Sequence, residues 1–187
     1  MNDIALEVLE RASQGDTGAF EQVYRAASGF VYNVALRITR DSADAEEVAQ
    51  DVFMKIYHNL KSFQFRCAFK TWVYRITVNT AINSCRKSMR EERDRVNDDN
   101  IIESFPGGRS AAEGAIQSDI ETRLNALLGM LSPEYKACLV LREIEGLSYQ
   151  EISATLKIPV NTVRSRLKRA RQALLEEARK GPVKDAV

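Results

Sequence analysis

The chain has 187 residues, 44% of them hydrophobic, and a formal net charge of +1. That length suits one domain or two small ones with packed cores. No apolar run approaches the roughly 20 residues of a membrane span, which excludes direct membrane insertion. The start, MNDIALEVLERASQGD, lacks a signal-peptide profile, so a cytoplasmic protein is expected.

Under the near-neutral total, charge is arranged in blocks. Asp41 to Met54 holds Asp41, Asp44, Glu46, Glu47 and Asp51 and no Lys or Arg. Lys61 to Arg90 reverses this, with Lys61, Arg66, Lys70, Arg75, Arg86, Lys87 and Arg90 and no carboxylate. Glu91 to Glu121 turns acidic again. Blocks of one sign point to separate charged surfaces with separate partners.

In chain order, a first short helix is predicted over Ile4 to Gln14, ending at Gly15. Asp16 or Thr17 caps the next, where Phe20, Val23, Tyr24, Ala27, Val31, Val34, Ala35 and Ile38 recur at helical spacing. Gly29 should weaken or bend it. Asp41 or Ser42 caps a third helix with core positions Ala45, Val48, Ala49, Val52, Phe53, Ile56 and Leu60. Its outer face, Asp44, Glu47, Gln50 and Asp51, is acidic and polar. A loop around Lys61 to Cys67 leads to a fourth helix from about Ala68 to Arg93. Phe69, Trp72, Val73, Ile76 and Thr80 form its inward face, with Arg75, Asn79 and Arg86 on an adjoining stripe.

From about Glu92 to Gln117 the periodicity dissolves into NDDNIIESFPGGRSAAEG, whose Pro, paired Gly and acids describe a flexible linker. Ser118 with Glu121 opens a further helix, with Ile120, Leu124, Leu127, Leu128 and Leu131 inward. Ser132–Pro133 starts another, cap then proline, ending near Gly146. Ser148 and Glu151 form a capping box for a helix from Tyr149, with Ile152 and Leu156 as its apolar stripe. Lys157, Ile158 and Pro159 interrupt it. Asn161 or Thr162 can cap the last helix, whose apolar positions are Val163, Leu167, Ala170 and Leu174. Between Thr162 and Gln172 it carries Arg164, Arg166, Lys168, Arg169 and Arg171 and no acid. Arg164, Ser165, Lys168 and Arg169 face away from the apolar stripe. A short basic helix held by a packed partner helix suits the DNA major groove. A merely solvated surface helix is the bland alternative. The fold class is all-α: two small helical domains joined by a flexible linker, with limits 1–92, 93–117 and 118–187, the second containing a helix-turn-helix.

Catalytic and metal chemistry find little here. Cys67, Cys85 and Cys138 are odd in number and widely spaced, with no C-x-x-C pair, so neither disulfides nor a cysteine zinc site is expected. His58 is the lone histidine. Gly107–Gly108 has no GK[ST] partner and is not a phosphate loop. Glu46 and Glu47 point about 100° apart on a helix and cannot share a substrate. No cofactor, no metal, no small-molecule substrate and no enzymatic activity are expected.

Two blocks carry a family likeness. DSADAEEVAQDVFMKIYHNLKSF, followed by FKTWVYRITVNTAIN, resembles the second conserved region of bacterial RNA polymerase sigma factors. LSPEYKACLVLREIEGLSYQEISATLKIPVNTVRSRLKRARQALLE resembles their fourth region. A short tether with no third domain between them is similar to the extracytoplasmic-function subgroup. The resemblance implies core RNA polymerase as partner, with Asp44, Glu47, Gln50 and Asp51 against the β′ clamp helices and the fourth region on the β flap. It implies −10 promoter DNA contacts by Phe63, Arg66, Lys70, Arg75, Asn79 and Arg86, with Phe63 stacking on a flipped base and Asn79 reading polar base edges. Trp72 also matches a family position, yet its helical spacing with Phe69 and Ile76 reads as core. For the −35 element it implies Thr162, Arg164, Ser165, Lys168 and Arg169. It implies an anti-sigma factor that holds the protein inactive. Two departures stand out: Asn161 replaces a usual Gly, and Gln64, Phe65, Arg66 and Cys67 replace a small or acidic run. The competing function is a self-sufficient helix-turn-helix regulator with an N-terminal sensing or dimerisation domain. A second DNA-facing surface in the N-terminal domain argues for the sigma factor.

Overall fold

The computed structural model describes residues 4–98 and 128–180, which are helical with no strand among them. They fall into two compact units, divided between Pro106 and Gly107. The expected helix as far as Leu127, with Ile120 and Leu124, and the linker residues from 99 to 117 lie outside the described residues, whereas Leu131, also expected inward, is described and buried.

In the first unit, α1 (Leu6–Ser13) buries Leu9 and Ala12 and stops at Gly15, whose φ of 95° favours glycine. α2 (Thr17–Thr39) starts because Asp16 accepts the Ala19 N–H at 2.9 Å. That bond first, and then Arg11 at 2.6 Å, hold the Asp16 carboxyl below its usual range. Gly29, expected to weaken or bend the helix, does not interrupt it: α2 runs through that position. Val31, Val34 and Ala35 beyond it are buried, and that packing outweighs the roughly 1 kcal/mol helix penalty of glycine. Arg40, left-handed at φ 66°, turns the chain into α3 (Ser42–Asn59), capped by Asp41 through the Asp44 N–H at 2.9 Å. A 3₁₀ turn (Leu60–Ser62) and a loop lead to α4 (Phe69–Asp98), five residues longer than expected at its C-terminal end.

α2, α3 and α4 pack on one another around Val23, Val31, Val34, Ile38, Val48, Val52, Ile56 and Val73, all fully buried. Each such side chain contributes about 1.5–3 kcal/mol on leaving water. Because α4 touches both α2 and α3, its buried face is wider than one stripe. Tyr74, Thr77, Val78 and Ala81 are buried with Trp72 and Val73, whereas Ile76, expected inward, is half-exposed.

In the second unit, α5 (Pro133–Leu139) is capped by the Ser132 side chain on the Tyr135 N–H. It runs into a π-helical turn (Val140–Ile144) and closes at Gly146, φ 71°. α6 (Tyr149–Leu156) carries the full capping box: the Glu151 N–H donates to Ser148 Oγ at 3.2 Å, and the Ser148 N–H to Glu151 Oε2 at 2.7 Å. Lys157, left-handed at φ 54°, ends it. α7 (Val160–Lys180) begins earlier than the expected caps Asn161 and Thr162. The Pro159 carbonyl already accepts the Thr162 and Val163 N–H groups, at 2.9 and 3.1 Å. α5 and α6 both pack on α7, whose Val163, Leu167 and Ala170 are buried, as are Ile152 of α6 and Leu141 of the π turn.

Candidate nucleic-acid and polymerase interfaces

On α3 the helical repeat that buries Val48, Val52 and Ile56 leaves Glu47, Gln50 and Asp51 exposed and Asp44 half-buried. Burial, then the nearby Asp41 and Glu47 carboxylates, push the Asp44 carboxyl above its usual range. This face is therefore a concentration of negative charge under mutual repulsion, which a cationic partner relieves. Lys55 marks its edge. Its Nζ lies 3.9 Å from Asp51 and donates to Thr80 Oγ1 of α4 at 3.0 Å.

Beyond Lys55 the surface between α3 and α4 opens into a cavity of about 340 Å³, lined by Lys55, Asn59, Ser62, Trp72, Ile76, Asn79, Thr80 and Asn83. Amides and hydroxyls around one indole wall make a pocket that can take a planar, hydrogen-bonding group. Asn79 lies in it. Lys55, Asn59 and Asn83 were not singled out from sequence; the i, i+4 spacing of Asn79 with Asn83 and of Lys55 with Asn59 was the available signal. Phe63 was expected to offer its ring to a base. Instead the ring is buried behind the wall, 4.9 Å from Trp72 and 5.8 Å from Phe69. The open ring is Phe65, 45% exposed, tilted against Phe63 with ring centres 4.8 Å apart, and held at φ 53°. A bulky residue in the left-handed region is strained, and such strain gathers at functional loops. Trp72 is buried yet forms the cavity wall, so it serves core and pocket together.

The cations of this unit divide. Arg66 is exposed beside Phe65, and Lys70 lies 5.9 and 5.8 Å over the Phe30 and Tyr74 rings. Arg75 is half-buried, and Arg86 is exposed further along α4. Only Asn79 of the −10 set lines the cavity.

In the second unit α7 buries its apolar stripe and exposes Arg164, Ser165, Lys168 and Arg169, with Thr162 half-buried at the first turn. Arg169 donates to the Tyr135 hydroxyl of α5 at 3.3 Å, and Arg171 pairs with Glu143 of the π turn at 2.5 Å. These contacts fix the basic helix against its support. The three cysteines are free: Cys67 exposed, Cys85 half-buried, Cys138 buried with its thiol pushed up by that burial. Among the described residues no cluster of His, Cys, Asp and Glu could hold a metal ion, and no helix is long and apolar enough to cross a membrane.

Residues 23–91 match the model of Sigma-70 region 2, and residues 121–174 that of Sigma-70, region 4. RNA polymerase sigma-H factor of Pseudomonas aeruginosa is 33% identical over 174 residues, covering 90% of each chain. ECF RNA polymerase sigma-E factor of Escherichia coli K12 is 34% identical over 175 residues, covering 89% of this chain and 90% of that protein. The fold matches the sigma factor RpoE of Bartonella quintana, solved with the anti-sigma factor NepR: TM-score 0.68 at 24% identity, over 87% of this chain and 98% of the other. It also matches CnrH, solved with the cytosolic domain of CnrY, with TM-score 0.66 at 23% identity over 94% and 97%. The chain belongs to the sigma-70 family of RNA polymerase sigma factors, in its extracytoplasmic-function branch. It is a DNA-binding initiation factor that directs promoter-specific transcription by RNA polymerase.

Proposed function

We propose that three surfaces divide the work of initiation, and that an anti-sigma factor withholds them in the cytoplasm until a signal releases the protein. Residues 1–92 bind core polymerase through Asp44, Glu47, Gln50 and Asp51 on the β′ clamp helices, and capture the −10 element. Residues 118–187 dock on the β flap and read the −35 element through Thr162, Arg164, Ser165, Lys168 and Arg169. The supporting observation is that one small unit carries an acidic face and a separate amide-lined cavity, joined at Lys55. A self-sufficient regulator has no use for the first of these.

At the −10 element a flipped base enters the cavity beside Asn79, against Trp72. Phe63 backs the wall, and Phe65 offers a ring at its rim. Arg66, Lys70, Arg75 and Arg86 hold the backbone phosphates, which position the strand without reading it. Inhibition rests on the charge and exposure of these surfaces, and on the anti-sigma factor NepR named for the similarly folded RpoE structure. Co-purification from uninduced cells of the native host tests this half. A protein that binds this chain, competes with core polymerase and is lost on induction is the expected result. Recovery of the chain only free or with polymerase, with no suppressor of its activity, contradicts it.

A further inference from the structure

Asparagine at a helix start ordinarily serves as a cap, but Asn161 is the second residue of α7 and caps nothing. The Pro159 carbonyl has already taken the Thr162 and Val163 N–H groups. The Asn161 side chain turns along the exposed face instead, where its Oδ1 accepts from Arg164 Nη1 at 3.3 Å. Both residues are exposed in the first turns of the helix, the part of a recognition helix that meets base edges.

We infer that Asn161 and Arg164 form a joint, donor-rich reader that selects guanine at one position of the −35 element, with Asn161 setting that preference. The inference rests on the proposal that α7 enters the −35 major groove. A guanidinium has N–H donors and no acceptor, whereas a primary amide has both. With one lone pair of its oxygen engaged by Arg164, Asn161 keeps both N–H donors of its NH₂ for a partner. The pair therefore offers the groove mostly donors. Guanine answers with two adjacent acceptors, N7 and O6, whereas thymine shows a single acceptor, O4, beside a methyl group, adenine puts an amino donor beside N7 and cytosine shows its own amino donor. Donor against donor leaves buried polar groups unpaired, and that mismatch discriminates more strongly than a lost attraction. The same hydrogen bond fixes the Arg164 rotamer before DNA arrives, which lowers the entropy lost on binding. Glycine at 161 supplies neither the donor nor the restraint.

The test selects promoters from a library randomised across the −35 element, using core polymerase reconstituted with the full-length protein. Wild type, Asn161→Gly, Asn161→Ala, Asn161→Asp and Arg164→Ala are compared, with thermal unfolding of each protein measured alongside. Wild type should enrich guanine at one position. Asn161→Gly and Asn161→Ala should each relax that position alone by about 5-fold or more, the low end for a specific base contact. Asn161→Asp keeps an acceptor for Arg164 but no donor, so it should lose the same preference and also weaken binding to every sequence. If both neutral variants keep the wild-type preference while Arg164→Ala changes it, the role of Asn161 is refuted and the placement of α7 stands. If they weaken all sequences equally, or wild type shows no guanine preference, the joint reader is refuted as well. If Arg164→Ala also leaves every −35 preference unchanged, the placement of α7 itself fails.

Discussion

Reversing two charges on α3, Glu47→Lys with Asp51→Lys, should separate polymerase binding from folding. The folding cost is small. Asp51 and Lys55 are 3.9 Å apart with side chains 61% and 47% exposed, and an exposed i, i+4 pair contributes about 0.3–0.5 kcal/mol. Glu47 is exposed, and its carboxylate is one of the causes that push Asp44 upward, behind burial and Asp41. A lysine at 47 removes that repulsion and partly offsets the lost pair. The net change in stability should stay within about 1 kcal/mol, a thermal shift of a few degrees. Binding should respond far more. Close interfacial charge pairs couple by about 1.5 kcal/mol or more each, so two reversals cost at least about 3 kcal/mol, roughly 100-fold in Kd. Titration of labelled protein with core polymerase, at low and high salt, measures this, and the deficit should shrink as salt screens the new repulsion. A Kd within a few-fold of wild type, with the fold intact, refutes the assignment of this face. A large drop in thermal midpoint refutes the claim that the face is free of structural duty.

Asn79→Ala should slow open-complex formation on duplex promoters with core affinity unchanged, and pre-melted templates should rescue it; stopped-flow fluorescence of promoter opening reads both. Ser148→Ala should destabilise the second unit by about 0.5–2 kcal/mol, measured by denaturant unfolding. The same box gives a pH signature. Ser148, through its side chain first and then its backbone N–H, holds the Glu151 carboxyl below its ordinary 4.5. A depressed acid stabilises the fold above its unfolded value, and that contribution is lost as pH falls through the folded one. The stability difference between wild type and Glu151→Ala should therefore be full at pH 7 and close below about pH 4.5; a pH-independent difference contradicts the capping role.

Local signals were legible and tertiary ones were not. Ser148 with Glu151, and Ser132 with Pro133, announce helix starts because a cap is settled within four residues of chain. The acidic face of α3 and the basic face of α7 follow from the same helical arithmetic. The start of α7 is not legible in the sequence because Asn161 and Thr162 are good capping types, whereas the Pro159 carbonyl already closes the first turn. The helical period of α4 shows one stripe because nothing in its own sequence says that it packs on two helices at once. Phe63 and Phe65 lie two residues apart, and which ring is left open depends on the packing of Phe63 against Trp72 and Phe69, which sequence does not show. The cavity around Asn79 needs residues from two helices and a turn, so sequence supplied one of its walls and not the others.

The most direct test of the whole account is transcription from genomic DNA by core polymerase with and without this protein, with transcript 5′ ends mapped. The account expects discrete new start sites preceded by one shared pair of −10 and −35 elements, absent with core alone, and no specific DNA binding by the protein without core. Tight, sequence-specific binding by the isolated protein, with no new start sites on adding core, contradicts it.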